Sequence, residues 1–155
     1  MFLIILLFLT ILVKFILSIY IRKNYSSAQD VSLTNIVNAN VSLLAVSLII
    51  SGFLHQQEAF SDKHWVKFFE FIDFWTSLVF YIFYYAKYSP DMVQKANMAM
   101  IAMDVISLLL IGMVLYSEIK QFKDFFTMQK QERAEANMGE FWQASLDENP
   151  QVIEY

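Results

Sequence analysis

Residues 2–21 read FLIILLFLTILVKFILSIYI, and this stretch decides the fold because Lys14 is its only charged residue. A helix that crosses the hydrocarbon core of a bilayer needs about 20 mostly apolar residues, which matches the length of this run. Tyr20 near its end and the Arg22 and Lys23 pair after it are residue types favoured where a helix leaves the membrane. The sequence therefore predicts a first membrane span over residues 2–21.

Three further apolar stretches follow, separated by short polar segments, and we predict spans at residues 36–54, 68–88 and 98–116. Ser89-Pro90-Asp91 separates the last two, because proline lacks an amide donor and restricts the residue before it. With 57% hydrophobic and 17% charged residues, the chain carries more apolar surface than one soluble core of 155 residues needs. The predicted fold is an all-α, integral membrane four-helix bundle formed by residues 1–118.

The C-terminal part of the sequence, residues 119–155, differs from the spans in composition. Apolar residues recur there at helical spacing among lysines and acids: Ile119, Phe122, Phe125 and Phe126. This pattern predicts an amphipathic surface helix that extends the fourth span, with Gly139 as its expected end. The polar tail beyond it fits either a docking segment or a disordered one.

Four spans place both termini on the same side of the membrane. Six basic residues fall on that side and four on the other: Lys63, Lys67, Lys120, Lys123, Lys130 and Arg133 against Arg22, Lys23, Lys87 and Lys95. Basic residues prefer the inner side, so this narrow excess favours termini on the cytoplasmic or matrix side. The expected location is a bacterial plasma membrane or a mitochondrial inner membrane.

Two ionisable residues lie inside predicted spans. Lys14 is seven residues before the end of the first span and Asp104 is six residues into the fourth, so both lie about 10 Å from the same membrane face. Because a charge inside a bilayer must be paired or solvated, we predict a buried Lys14–Asp104 ion pair, with Asn38 and Asn40 at a depth that allows hydrogen bonds to it. A structural role is favoured, either a fixed pair that sets how the helices pack or a Lys14 side chain that snorkels to the headgroups. A proton or ion relay through this polar cluster is the alternative.

Glu70 and Asp73 form an interfacial acidic cluster at the start of the third span, one helical turn apart on one face. Such carboxylates could collect protons, bind a cation or pair with nearby lysines. Acids are also favourable near a helix N-terminus for electrostatic reasons alone, so we expect an ordinary interfacial role.

The sequence contains no pattern typical of catalysis or of a bound cofactor. It has no cysteine, and its three glycines lie far apart, which excludes thiolate sites and glycine-rich phosphate loops. His55 and His64 are the only candidate haem or metal ligands, and the acids near them lack metal-ligand spacing. We therefore expect no metal and no cofactor, and a membrane enzyme acting through Glu70 and Asp73 is a minor hypothesis. The net charge of −4 indicates no basic surface for nucleic acid.

The leading functional hypothesis is a non-catalytic, accessory or structural subunit of a multi-subunit membrane complex, such as an energy-transducing or respiratory assembly. Its expected partners are lipid, other integral membrane subunits and a protein that docks the C-terminal tail. The alternative is a small homo-oligomeric ion channel or ion-conducting membrane protein, with the path lined by polar side chains of the second and fourth helices.

Overall fold

The computed structural model describes the backbone of residues 1–25, 31–57 and 63–148, and side chains as far as residue 139. Across these residues the chain is helical, without any β-strand. The four helices are α1 (Phe2–Asn24), α2 (Val31–His55), α3 (His64–Tyr85) and α4 (Pro90–Glu148). The all-α fold class predicted from the sequence is therefore confirmed.

The chain divides into two compact units, and the first, which we call the bundle unit, covers Met1–Leu115. Its core contains two clusters of buried apolar side chains, and each cluster includes residues from all four helices. The first consists of Ile4, Leu7, Ile11, Ile50, Leu54, Val66, Ile111 and Val114. The second consists of Ile21, Leu33, Val37, Leu44, Phe80, Tyr81, Val93, Ala96 and Met100. Because the first cluster joins the starts of α1 and α3 to the end of α2, consecutive helices run antiparallel.

Among the described residues, three helices are long and apolar enough to cross a membrane, judged by length and composition: Phe2–Asn24, Val31–His55 and Pro90–Gly139. Helix α3 is not among them, because Glu70, Asp73 and its tyrosines lower its mean hydropathy. Composition thus supports a membrane location through three helices. For α3, mean hydropathy alone does not indicate a span.

The bundle unit has apolar side chains on its outside and charges in its interior. Large apolar side chains are exposed on every helix: Phe2, Leu9, Ile16, Ile49, Phe53, Phe68, Phe71, Trp75, Ile82, Leu109 and Met113. Lys14 and Asp104, in contrast, are both 0% exposed. This distribution is the reverse of that in a water-soluble protein and suits a surface covered by lipid.

The connection between α3 and α4 is a Schellman turn. Lys87 adopts a left-handed conformation with φ of 56°. Its amide donates to the Tyr84 carbonyl at 3.3 Å, and the Tyr88 amide donates to the Phe83 carbonyl at 3.0 Å. The Phe83 and Tyr88 rings stack with their centroids 4.7 Å apart, the apolar contact typical of this turn. Pro90 then begins α4, a position where a helix needs no amide donor.

The helices extend beyond the predicted spans, and Gly139 requires correction as a helix end. Helices α2, α3 and α4 begin at Val31, His64 and Pro90, whereas the predicted spans begin at residues 36, 68 and 98. Apolar composition marks where a span enters lipid, whereas the helical backbone continues through the polar residues beside it. Gly139 does not end α4, which continues to Glu148, because one glycine among good helix formers costs only about 1 kcal/mol.

The second unit starts at Tyr116. Its described side chains from residue 119 to residue 139 are all exposed, and they include Ile119, Phe122, Phe125, Phe126, Met128 and Met138. The Phe122 and Phe126 rings meet edge to face with centroids 4.7 Å apart. This helical segment therefore has an exposed apolar surface. The polar tail was predicted to begin after Gly139, but the backbone of residues 140–148 continues α4, and residues 149–155 lie outside the described residues.

Candidate functional site: a buried polar network

A lysine and two aspartates from three helices form the centre of the bundle unit, and we call them the triad: Lys14, Asp73 and Asp104. The Lys14 ammonium donates to Asp104 Oδ1 at 2.5 Å and to Asp73 Oδ1 and Oδ2 at 3.1 and 3.2 Å. The side chains of Lys14 and Asp104 are 0% exposed, and the side chain of Asp73 is 9% exposed. The geometry uses the donor capacity of the ammonium fully, as a buried charge requires.

Ser18 and Asn40 connect the triad to the backbone of α1 and to helix α2. The Ser18 hydroxyl lies 3.0 Å from Asp104 Oδ2, one helical turn after Lys14. The Asn40 amide donates to the Lys14 carbonyl at 3.0 Å and to Ser18 Oγ at 3.1 Å. Asn40 is 0% exposed, so these bonds lie in the interior. They add α2 to the three helices that carry the triad.

Two more polar side chains extend the network toward the α3–α4 connection. The Tyr81 hydroxyl donates to Asn40 Oδ1 at 2.6 Å. The Asn97 amide donates to the Ser18 carbonyl at 3.4 Å, while its own Oδ1 has no hydrogen-bond partner among the described residues. A continuous set of polar contacts therefore runs from the triad to the beginning of α4.

A second polar cluster lies between α2 and α3 and contains Ser51, His55 and Glu70. Glu70 Oε2 accepts from the Ser51 hydroxyl at 2.5 Å and lies 2.9 Å from His55 Nε2. The His55 and Glu70 side chains are 14% and 16% exposed. Because His55 is the last residue of α2, this cluster lies at the end of the bundle opposite the α3–α4 connection.

A small cavity of about 10 Å³ lies between the two clusters. Its polar lining residues are Ser47, Ser51, Glu70, Asp73 and Ser107, and the remaining lining is leucine and isoleucine. Glu70 Oε1 and Ser107 Oγ are buried without a hydrogen-bond partner among the described residues. A volume of this size is about the minimum that holds one water molecule, and the lining offers several polar partners for it.

The structure brings the predicted residues together in a different arrangement from the one that the sequence indicated. Lys14 and Asp104 are in contact, and Asn40 bonds to Lys14, although through the lysine backbone. Asn38 lies on the exposed side of α2 and accepts a hydrogen bond from the Tyr85 hydroxyl, so it does not touch the pair. Glu70 and Asp73 line one cavity but bind different partners.

Asp73 is the main participant that sequence reasoning did not place in the network. Because α3 begins at His64, Asp73 lies nine residues into the helix, about 14 Å along its axis. Asp104 similarly lies 14 residues after Pro90, about 21 Å along α4. Both carboxylates therefore reach the middle of the bundle, where Lys14 meets them.

Ser18, Asn97 and Ser107 were also not placed in the network from the sequence, whereas Tyr81 lies on the helix face of Glu70 and Asp73 that the sequence indicated. Helical spacing would have indicated the first three, because Ser18 follows Lys14 by four residues and Asn97 and Ser107 lie seven before and three after Asp104. Residues three, four or seven apart share a helix face.

Among the described residues, no group of three or more His, Cys, Asp or Glu side chains could hold a metal ion. His55 bonds to Glu70, and His64 begins α3. No protein-family model, curated protein or solved structure matches the chain.

Proposed function

We propose that this chain is a four-span integral membrane protein and that α3 is the additional span. In the central part of α3, Asp73 and Ser77 are buried inside the bundle. From residue 68 to residue 82 its exposed residues follow a helical stripe that is apolar: Phe68, Phe71, Trp75, Val79 and Ile82. Mean hydropathy counts inward and outward residues alike, whereas lipid meets only the outward ones, so this stripe supports a membrane position for α3.

Within that membrane, we propose that the chain serves as a non-catalytic subunit of a multi-subunit assembly. The observation that carries this proposal is the helical segment from residue 119 to residue 139, whose aromatic side chains are all exposed. Ile119, Phe122 and Phe126 share one face at spacings of three and four residues. A soluble or surface helix with such a stripe is stabilised when a partner covers it.

The charges of this segment favour a protein partner over a lipid surface. Between residues 118 and 135 there are four acids and four bases: Glu118, Asp124, Glu132 and Glu135 with Lys120, Lys123, Lys130 and Arg133. Helices that bind anionic headgroups carry an excess of positive charge on their polar face, which this segment lacks. Alternating charges beside an apolar stripe are typical of helices that pair with another helix.

The interior of the bundle unit supports a subunit role better than an enzymatic one. Its carboxylates are bonded to Lys14, Ser18, Ser51 and His55, and the cavity between Asp73 and Glu70 has room for about one water molecule. A wider, open groove of about 350 Å³ lies beside Glu70, and the rest of its lining is a lysine, a leucine and three aromatic side chains. We further propose a bacterial plasma membrane or mitochondrial inner membrane, with both termini on the cytoplasmic or matrix side.

Mild detergent extraction of the full chain from its native membrane, followed by size analysis and mass spectrometry, tests the subunit proposal. We expect the wild-type chain to travel with a fixed set of other proteins. Phe122→Ser with Phe126→Ser should release those proteins, whereas Met128→Ser, which removes an exposed apolar side chain from another face, should retain them. Migration of the wild-type chain alone would contradict the proposal.

One observation favours a second candidate, an ion-conducting membrane protein. Polar groups extend through the bundle from His55 and Glu70, past the cavity and the triad, to Asn97. Ion or proton flux into liposomes containing the purified chain, lost on Asp104→Asn, would move this candidate ahead of the subunit role. Absence of flux in a well-folded sample would exclude it.

A further inference from the structure

We propose that the bundle contains a proton-binding site at the cavity between Asp73 and Glu70, and that the cavity exchanges its proton from the His55 end. This inference goes beyond the subunit role and is independent of it, because it concerns only groups inside the bundle unit.

The triad carries an unbalanced formal charge. One lysine and two aspartates carry a formal charge of −1 when all three are ionised. The groups that bond to them are neutral. The Ser18 hydroxyl of α1 bonds to the triad directly. The Asn40 amide of α2 bonds to Ser18 and to the α1 backbone beside it. An unbalanced charge in a low-dielectric interior is unfavourable, so one additional proton on the triad neutralises it.

The polar lining of the cavity joins the triad to a second ionisable pair, Glu70 and His55. Asp73 lies on the cavity wall together with Glu70, which bonds to His55. Ser107 is 3% exposed, and its hydroxyl lacks a partner although it borders this cavity. Glu70 Oε1 is likewise unbonded among the described residues. Two carboxylates and an unpartnered hydroxyl around a space of one water form a short path for a proton.

The transfer is a balanced exchange through one solvent water in the cavity. A protonated Glu70 breaks its O–H bond and gives the proton to the water. The water, held by the Ser107 hydroxyl, gives one of its own protons to Asp73, where a new O–H bond forms. The negative charge moves from Asp73 to Glu70, and Glu70 regains its proton from bulk water, directly or through the ring of His55, at the end of α2. No oxidant or reductant takes part.

A proton fits this place better than a metal cation does. The part of the chain that the structure describes has no group of three or more His, Cys, Asp or Glu side chains that could hold a metal ion. His55 Nε2 lies 2.9 Å from Glu70 Oε2, a hydrogen bond that a proton can cross.

Infrared difference spectroscopy of the purified full chain during a pH titration tests the proposal. We expect one carbonyl band of a protonated carboxylic acid from the triad, and its loss in Asp73→Asn. In a pH-jump experiment, Ser107→Ala should slow the appearance of this band by about tenfold or more, since a positioned proton-transfer group contributes at least that much. Ser77→Ala is the matched control, because Ser77 is also buried and unbonded but does not line the cavity.

Three results would overturn the proposal. The first is a wild-type spectrum without a titrating carboxylic acid band. The second is an equal rate in the Ser107→Ala and Ser77→Ala variants, both verified as helical by circular dichroism. The third is a shift of the band on replacing choline chloride with sodium chloride at constant pH, which would assign the site to a cation. Each measurement uses the isolated chain, so failure of the subunit proposal would not affect it.

Discussion

Lys14 Nζ lies 2.5 Å from Asp104 Oδ1, and both side chains are completely buried inside a helical bundle whose outer surface is apolar. Asp73 contacts the same ammonium at 3.1 Å from a third helix. Ser18 lies within hydrogen-bond distance of the second Asp104 oxygen, and Asn40 of α2 bonds to the Lys14 carbonyl, so the triad and these two side chains link all four helices. The interior thus supplies specificity of packing, and the apolar exterior suits lipid.

Loss of the lysine should strongly destabilise the bundle. Lys14→Met leaves two buried carboxylates without their cation, and we expect the free energy of unfolding to fall by about 3–5 kcal/mol in a denaturation titration in detergent. Lys95→Met is the matched control. It removes an exposed contact to Asp91, whose side chain is 73% exposed, and should cost less than about 1 kcal/mol.

The same account predicts that removing all three charges restores stability. In the triple variant Lys14→Met, Asp73→Leu and Asp104→Leu, no buried charge is left unpaired, so most of the loss seen with Lys14→Met alone should be recovered. A triple variant as unstable as the single one would show that unpaired carboxylates are not the cause.

The two asparagines of α2 should differ in importance. Asn40→Ala removes bonds to the Lys14 carbonyl, Ser18 and Tyr81 in the interior and should lower the free energy of unfolding by about 1–3 kcal/mol. Asn38→Ala removes an exposed contact with Tyr85 and should cost less than about 1 kcal/mol. The two variants can be compared in one denaturation series, and an equal effect would contradict the arrangement.

The left-handed conformation of Lys87 offers a stabilising substitution. Glycine adopts this conformation without the steric cost of a Cβ atom, so Lys87→Gly should raise the free energy of unfolding by up to about 1 kcal/mol. Lys87→Ala removes the charge and keeps the Cβ atom, and it should leave stability nearly unchanged. If the glycine variant were the less stable of the two, the Schellman turn would not be strained at this residue.

The sequence predicted the all-α fold. It also indicated a Lys14–Asp104 pair, because charged residues are rare in long apolar runs and require a partner there. It missed Asp73 because hydropathy placed the start of the third span at residue 68, whereas α3 begins at His64. Helix geometry alone could have separated Asn38 from Asn40, since residues two apart lie on different faces.

The long-range part of the network could not be predicted. Which helix neighbours α1 depends on packing of the whole bundle, so nothing in the local sequence indicates that Asp73 and Asp104 meet the same ammonium. The cavity between Glu70 and Asp73 is likewise a product of four helices and has no local sequence pattern.

The central claim is that α3 crosses the membrane, and cysteine labelling tests it most directly because the chain contains no cysteine. Single variants Lys23→Cys, Gln57→Cys and Ser89→Cys report on the ends of α1, α2 and the α3–α4 connection. In sealed vesicles treated with a membrane-impermeant maleimide, we predict that Lys23→Cys and Ser89→Cys react from one side and Gln57→Cys from the other. Reaction of Gln57→Cys and Ser89→Cys from the same side would contradict the four-span account.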